Sequence, residues 1–384
     1  IIIASVSATV IDDVDLAEAD VGLNGYKKAT GVYTFQNDGV FGARLSVSGS
    51  EIDEDTNSYS PAESNILKGQ DSARSINADV VLKLNDTMQM RFEGSTSDTE
   101  KNAFSAYYDG TRNEDTFTSL KANLTADTDY GIIDATIYRN NADAVFTVPN
   151  GRFGFKNSVI VAQLSDTFKL GTDHTFRIAG EFRDNSTDHA IGTTTFGTTS
   201  FNIKSLSTLW YWNINEKLAL STAGRYDHVQ SDFDGSVLNG FGNPFAQSEY
   251  NNVYDEFGYN IGLIYKPTDV DTLRFSAAKG VDLPSAFEVG VQAPSTISFF
   301  GNPNLDVSDV HDFQIGYERN LPAHNTIFKL TGFYQQINEL QGFTQRTATL
   351  FDTGGVGDSI VYGGSVSLDG ETSKGIRWCK LYLC

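Results

Sequence analysis

Along much of the chain, apolar and polar side chains alternate residue by residue. From 175 to 183, Phe176, Ile178, Gly180 and Phe182 share one parity, while Thr175, Arg177, Glu181 and Arg183 share the other. A pleated strand imposes that period of two, because successive Cβ atoms point to opposite faces. Met88, Met90 and Phe92 likewise oppose Gln89, Arg91 and Glu93, and Leu218, Leu220 and Tyr226 oppose Lys217, Arg225 and Asp227. Phe257, Tyr259, Ile261, Leu263 and Tyr265 oppose Gly258, Asn260, Gly262 and Lys266. Strands so divided lie between an apolar and a polar medium.

Turn-forming sequences punctuate these stretches: QNDG at 36–39, LNDT at 84–87, ADTD at 126–129, GTDH at 171–174, NINE at 213–216, KPTD at 266–269, LPAH at 321–324 and GETSK at 370–374. Their centres, Asp38, Asn85, Thr128, Thr172, Asn215, Thr268, Ala323 and Thr372, fall 43 to 55 residues apart. Between them lie longer connections rich in Gly, Asn, Asp, Ser and Thr, at 94–115, 140–157, 184–200, 231–252, 281–309 and 338–358. Strand, short turn, strand and long loop is the order of a transmembrane antiparallel β-barrel, with the short turns on the inner side and the loops outside. Eight short turns imply about 16 flanking strands, and residues 3–10 add one more. Trp210, Tyr211 and Trp212 abut one short turn, where an interfacial aromatic girdle belongs.

Two soluble all-β folds compete with this expectation. A propeller also repeats every ~45 residues, but packs four short strands per blade; here each repeat holds two long strands, and one strand face is expected to stay polar along its length. A sandwich shows the same alternation, but ~17 long strands in regular hairpins exceed its usual size.

Composition narrows the class further. The chain has 28 Lys and Arg against 49 Asp and Glu, a formal net charge of −21, so it lacks the basic face that phosphate neutralisation needs. With 40% hydrophobic residues it is too apolar for a disordered acidic chain. No window holds the ~20 consecutive apolar residues of a spanning helix. The chain begins at Ile1 with no Met and no targeting segment, which reads as a cut. Cys379 and Cys384 do not match paired zinc spacing, and 378–384 reads as an atypical, out-of-frame tail.

The most specific stretches are LRFSAAKGVDLPSAFEVGVQ at 273–292 and FFGNPNLDVSDVHDFQIGYE at 299–318. Phe275, Lys279, Gly280, Pro284, Ser285, Gly301, Asn302, Pro303, Leu305, Ile315, Gly316, Tyr317 and Glu318 carry the pattern. It resembles the C-terminal barrel signature of the TonB-dependent outer-membrane receptors. KLALSTAGRYDH at 217–228, IFKLTGFYQQINELQGF at 327–343 and GDSIVYGGSVSLDG at 357–370 resemble that family's other late strands. Asp306, Val307 and Ser308 depart from it, standing where the family usually shows a Pro-Glu pair. Gly280, Pro284, Gly301 and Pro303 are expected to supply turn geometry rather than ligand contacts.

The resemblance implies an all-β, transmembrane antiparallel β-barrel, with about 17 strands of a 22-stranded ring present and the barrel incompletely closed. It implies a partial barrel over 1–377 without its plug domain, and an energy-coupling partner, TonB, reached through an N-terminal segment that is missing here. The implied activity is active uptake of a scarce extracellular ligand: an iron-siderophore first, then cobalamin, haem or an oligosaccharide. The implied location is the outer membrane of a Gram-negative bacterium, in contact with its lipid. A passive porin-like channel would share the alternation and the polar lumen.

Candidate chemistry is sparse. Asp53, Asp55 and Asn57 match the first slots of a calcium loop, but Ser58 replaces the required Gly and Ser64 the bidentate Glu. Gly354, Gly355 and Gly357 precede no helix that could cradle a phosphate. The five His residues show no metal spacing and no nucleophile motif, so neither an enzyme, a metal site nor a cofactor is expected. Ligand capture is expected from aromatic and cationic side chains in two long loops: Tyr107, Tyr108 and Arg112 in the first, Phe299 and Phe300 in the second.

Overall fold

The computed structural model describes residues 15–37, 39–53, 66–67, 69–104, 110–148, 151–191, 194–238, 242–293, 298–371 and 377–383. Alternating segments become strands β1 (Leu16–Val21), β2 (Lys27–Asn37), β3 (Phe41–Asp53), β4 (Gln70–Lys83), β5 (Met88–Phe104), β6 (Gly110–Thr128) and β7 (Gly131–Val148). They continue as β8 (Gly151–Leu170), β9 (His174–Ile191), β10 (Thr194–Asn215), β11 (Leu218–Gly235), β12 (Asn252–Tyr265) and β13 (Asp271–Asp282). A connection containing helix α1 (Ala286–Gly290) and the short strands β14 (Gln292–Ala293) and β15 (Ser298–Phe300) follows. β16 (Ser308–Leu321), β17 (Thr326–Thr347), β18 (Leu350–Glu371) and β19 (Arg377–Leu383) complete the order.

These 19 strands form one sheet. Apart from β14 and β15, each strand pairs antiparallel with the next, β13 passing directly to β16. Among the described residues the wall therefore has seventeen strands. Among the described residues β1 pairs only with β2, and β19 only with β18, so hydrogen bonds do not close the sheet. All eight short turns fall between paired strands, as their Gly, Pro, Asn and Asp content requires. The expected additional strand at 3–10 lies outside the described residues, and Leu16–Val21 is the first wall strand instead. Backbone pairing also continues through the expected tail, with Cys379 opposite Asp369.

Most of the expected long loops are strand. Segments 94–115, 140–157, 184–200 and 338–358 belong largely to hairpins of β5–β6, β7–β8, β9–β10 and β17–β18. β10, β17 and β18 each run 22 residues, twice the ~10 that cross an apolar layer. Of the expected loops, 231–252 and 281–309 leave the ladder over a long stretch among the described residues.

The two faces of the wall differ in kind. Large apolar side chains stand uncovered on one: Ile178 is 48% exposed and Leu206 62%. A soluble sandwich would bury that face, so its partner is lipid. On β12 the apolar positions run from Tyr265 to Phe257, about 26 Å of strand at ~3.3 Å per residue, close to the ~10 residues that a tilted strand needs to cross an apolar layer. The opposite face carries paired charges. Lys121 Nζ lies 2.8 Å from Glu93 Oε2, and Arg91 bridges Asp79 and Glu93. Arg225 Nη2 donates to Glu181 Oε1 at 3.1 Å, and Arg225 also pairs with Asp227.

Aromatic side chains mark the borders of the band. Beside the short turns, Trp210, Trp212, His174 and Phe176 stack on the apolar face, and Trp210 Nε1 donates to His174 Nδ1 at 3.1 Å. Tyr211 has the opposite parity and falls on the polar face, so it is no part of this girdle. Phe182, Tyr226, Phe257, Phe313 and Tyr334 lie on the apolar face at the far border. Beyond them that face turns polar, through Arg139, Asn141 and Asp143 on β7 and Asp184, Ser186 and Asp188 on β9. The wall thus projects past the band on the side away from the short turns.

Candidate ligand-binding mouth

At the projecting end, the polar face changes character. On β11, Arg225 and Asp227 give way at the same parity to Val229 and Phe233, and on β10 Ser205 gives way to Ile203 and Phe201. The expectation of a face polar along its whole length fails here, because the described parts of the two connections, 242–251 and 283–293, pack over it and need an apolar seat. Phe201, Val229, Phe233, Phe245, Tyr250, Ala286 and Val289 form that core, with Ile203, Val237, Tyr254 and Leu283 packed against it. Phe233 and Tyr250 meet with ring centroids 4.9 Å apart.

Helix α1 is set by local chemistry. Ser285 caps it, accepting from Glu288 N at 3.2 Å while its own N donates to Glu288 Oε2 at 2.8 Å, a reciprocal capping box. The helix end then lies so close to the wall that a Cβ on Gly290 would stand 1.7 Å from Thr199 Oγ1. Thr199 bonds His189 Nε2 at 3.1 Å, and burial pushes the His189 imidazole down to about 4, with Asp188 opposing the shift.

The GNPNL sequence at 301–305 acts as a staple. A Cβ on Gly301 would come within 2.5 Å of the Val289 backbone, so only glycine permits that approach. Asn302 donates from N and Nδ2 to Thr353 Oγ1 and O, both at 3.0 Å, and Thr353 Oγ1 donates to Glu288 O at 2.6 Å. Pro303 O accepts from Asn252 Nδ2 at 2.8 Å, and Asn304 Nδ2 donates to Glu249 Oε1 at 2.7 Å. The buried Gln292 accepts from Leu238 N at 2.7 Å, joining the two connections. β15 runs parallel to β18, pairing Phe299 with Phe351. Where the chain departs from the family pattern, Asp306 O accepts from Gln341 Nε2 at 2.7 Å and Ser308 Oγ donates to Glu339 O.

The five expected site residues are thereby separated. Tyr107 and Tyr108 lie outside the described residues. The Arg112 side chain is 3% exposed. Its Nη1 donates to Asp71 Oδ1 at 3.0 Å, Gln70 O at 3.0 Å and Asn102 Oδ1 at 3.1 Å, and its Nη2 to Glu100 Oε2 at 2.9 Å. That guanidinium ties the β5–β6 hairpin to the start of β4. Phe300 is fully buried and packs the connection. Its neighbour Phe299 points the other way, stacking on Phe287 at 5.9 Å and meeting Phe343 edge-on at 5.0 Å.

This aromatic trio, with Phe287 and Phe343 exposed and Phe299 half-buried between them, joins α1, β15 and β17. Phe343 is 68% exposed although nothing in strand geometry asks for a phenyl ring there. Nearby, the Arg346 guanidinium lies 5.1 Å over the Phe245 ring and pairs with the buried Asp352, which also accepts from Thr344. Phe287 and Phe343 were not singled out from sequence as site residues; the pairing of β15 with β18, and of β18 with β17, brings Phe343 to Phe299. Asp53, first of the calcium-like set, accepts from Gln70 Nε2 at 3.0 Å, whereas Asp55 and Asn57 lie outside the described residues. Gly354, Gly355 and Gly357 lie in β18.

An open antiparallel wall, lipid-facing outside and charged inside, with a stapled lobe over one mouth, defines a receptor-type membrane β-barrel. The chain belongs to the TonB dependent receptor-like, beta-barrel family, whose model matches residues 19–378. No match was found among curated protein sequences. Among solved structures it is similar to a double mutant of the Serratia marcescens hemophore receptor HasR in complex with its hemophore HasA and heme. That likeness has a TM-score of 0.70 at 14% identity, over 99% of this chain and 65% of that one. The siderophore receptor PirA from Pseudomonas aeruginosa matches with TM-score 0.69 and 11% identity, over 94% of this chain and 62% of that one. The ferric yersiniabactin uptake receptor FyuA from Yersinia pestis matches with TM-score 0.69 and 14% identity, over 96% and 61%. The chain therefore spans less than two thirds of the length of each of these receptors.

Proposed function

We propose that the chain is the wall of an active transport receptor in the outer membrane of a Gram-negative bacterium, energised through TonB. It takes up a scarce external ligand such as a ferric siderophore. The carrying observation is the trio at the mouth, with Phe287 and Phe343 exposed and Phe299 half-buried between them, held by the hydrogen-bonded staple of Asn302 on Thr353. Rigid aromatic faces lose little entropy on packing a planar ligand. Tyr107 and Tyr108 are proposed to complete the contact, while Arg112 and Phe300 hold the two connections in shape. Supporting the uptake reading, similar structures include receptors for a hemophore and for siderophores.

The test uses the complete receptor that contains this wall, on whole cells supplied with labelled ferric catecholate, ferric hydroxamate, haem or cobalamin. One of these should accumulate only when the energy-coupling protein is present. Replacing Phe287, Phe299 and Phe343 with Ala should weaken binding of that ligand by at least tenfold, about 1.4 kcal/mol, at unchanged surface expression. Uptake that ignores loss of the coupling protein would favour a passive channel. Unchanged affinity would remove the trio from the site.

A further inference from the structure

The aromatic trio at the mouth sits in surroundings of one sign. The connections 236–251 and 283–307 and the hairpin tip 339–358 hold six carboxylates, Glu249, Glu288, Asp306, Glu339, Asp352 and Asp358, against one cation, Arg346, and no Lys or His. Arg346 is already engaged: it pairs with the buried Asp352 and lies over the Phe245 ring. The other five carboxylates have no ion pair among the described residues, and Asp306, Glu339 and Asp358 are exposed. Glu249 is held ionised, because Ala246 N and Asn304 Nδ2 donate to its carboxylate and lower its pKa. Asp358 Oδ1 accepts from Glu339 N at 3.1 Å, which holds two of these residues together on the hairpin that carries Phe343.

Rings and carboxylates act on charge in the same direction. The face of a phenyl ring is negative and attracts a cation. Uncompensated carboxylates beside it add to that field, and a concave mouth of one sign concentrates ligands of the opposite sign. An anion is repelled by both, and these segments offer it no cation besides the engaged Arg346. We propose that the mouth selects its ligand by charge: Phe287, Phe299 and Phe343 pack a complex whose exposed group is positive, Asp306, Glu339 and Asp358 stabilise that group, and polyanionic chelates are turned away. This rests on the reading that the trio is the capture site.

Within the siderophore class, such selection separates two chemistries. Hydroxamates, each singly charged, balance a ferric ion, so an appended ammonium makes the whole complex positive. Catecholates, each doubly charged, leave it a polyanion. The mouth therefore fits a ferric trihydroxamate with a free amine better than a ferric catecholate.

The experiment measures binding to the purified complete receptor in dodecyl maltoside by equilibrium dialysis. One labelled ferric trihydroxamate is supplied in ammonium, acetylated and succinylated forms, which are positive, neutral and negative on a shared scaffold. The ammonium form should bind about tenfold more tightly than the succinylated form at low salt, and the ratio should fall to roughly threefold in concentrated salt. Asp306→Asn, Glu339→Gln and Asp358→Asn together should reduce the low-salt ratio to about half or less and leave the affinity of the acetylated form unchanged. Phe343→Ala should weaken all three forms, because each packs on the ring. Equal affinity for the three forms, preference for the succinylated form, a ratio indifferent to salt, an undiminished ratio in the carboxylate variant, or no binding of any form would overturn the proposal. The capture reading fails on a different result, an accumulated ligand whose affinity is unchanged when the trio is replaced with Ala.

Discussion

Burial against α1 keeps the His189 ring neutral, and its folded value of about 4 lies below the 6.5 of an ordinary imidazole. Between those values the unfolded chain binds the proton and the folded one does not. The stabilisation is therefore complete above about 6.5 and is lost as pH falls towards 4. At pH 5 the loss should be about 2 kcal/mol, and it should loosen the lobe over β9 and β10 first. Protection factors of the α1 amides, which correct for the slower intrinsic exchange at low pH, should fall between pH 7 and 5, and His189→Gln should flatten that dependence; protection factors that ignore pH would remove His189 from this role. Single residues were the least legible level. Arg112 and Phe300 share composition with ligand-contacting side chains, but the first is enclosed by Asp71, Asn102 and Glu100 and the second is fully buried. No local pattern distinguishes an arginine aimed at solvent from one aimed at a neighbouring strand.

Strands were the most legible level while their two faces met different media. Ile178 and Arg177 show the consequence: the first is exposed on the apolar face, and the second donates from Nη2 to Ser165 Oγ at 3.3 Å on the polar face. Ile178→Arg in the complete receptor that contains this wall should cost about 2 kcal/mol, while Arg177→Gln should be mild. Heat-modifiable mobility after refolding checks both, and the reverse ranking would mean that the faces are exchanged. Past the apolar band the signal disappears. On β7, Arg139, Asn141 and Asp143 continue the outer parity while Asn140 continues the inner one, so both faces are polar and the stretch reads as loop. Pairing persists there through backbone ladders and side-chain bonds such as Asn157 Nδ2 to Asn185 Oδ1 at 2.7 Å, which alternation does not encode.

At the scale of the whole molecule, the outer edges of β1 and β19 are the exposed feature, each paired on one side only among the described residues. Unpaired backbone groups cost several kcal/mol each in lipid and act as templates for other chains in water. Expressed alone, residues 1–384 should aggregate or be degraded rather than give a heat-modifiable species; a discrete, folded monomer in detergent would show that the edges find each other. Short-range information sufficed for the wall. Turn residues set each hairpin, and period-two alternation set which side of each strand meets lipid, because both depend on neighbours only a few positions away. The mouth was decided by tertiary structure alone. Asn302 and Thr353 are 51 residues apart, and the trio draws one ring each from α1, β15 and β17. Those contacts exist only after the wall has brought β10 and β18 under the same lobe, and a local pattern holds no record of which distant strand that will be.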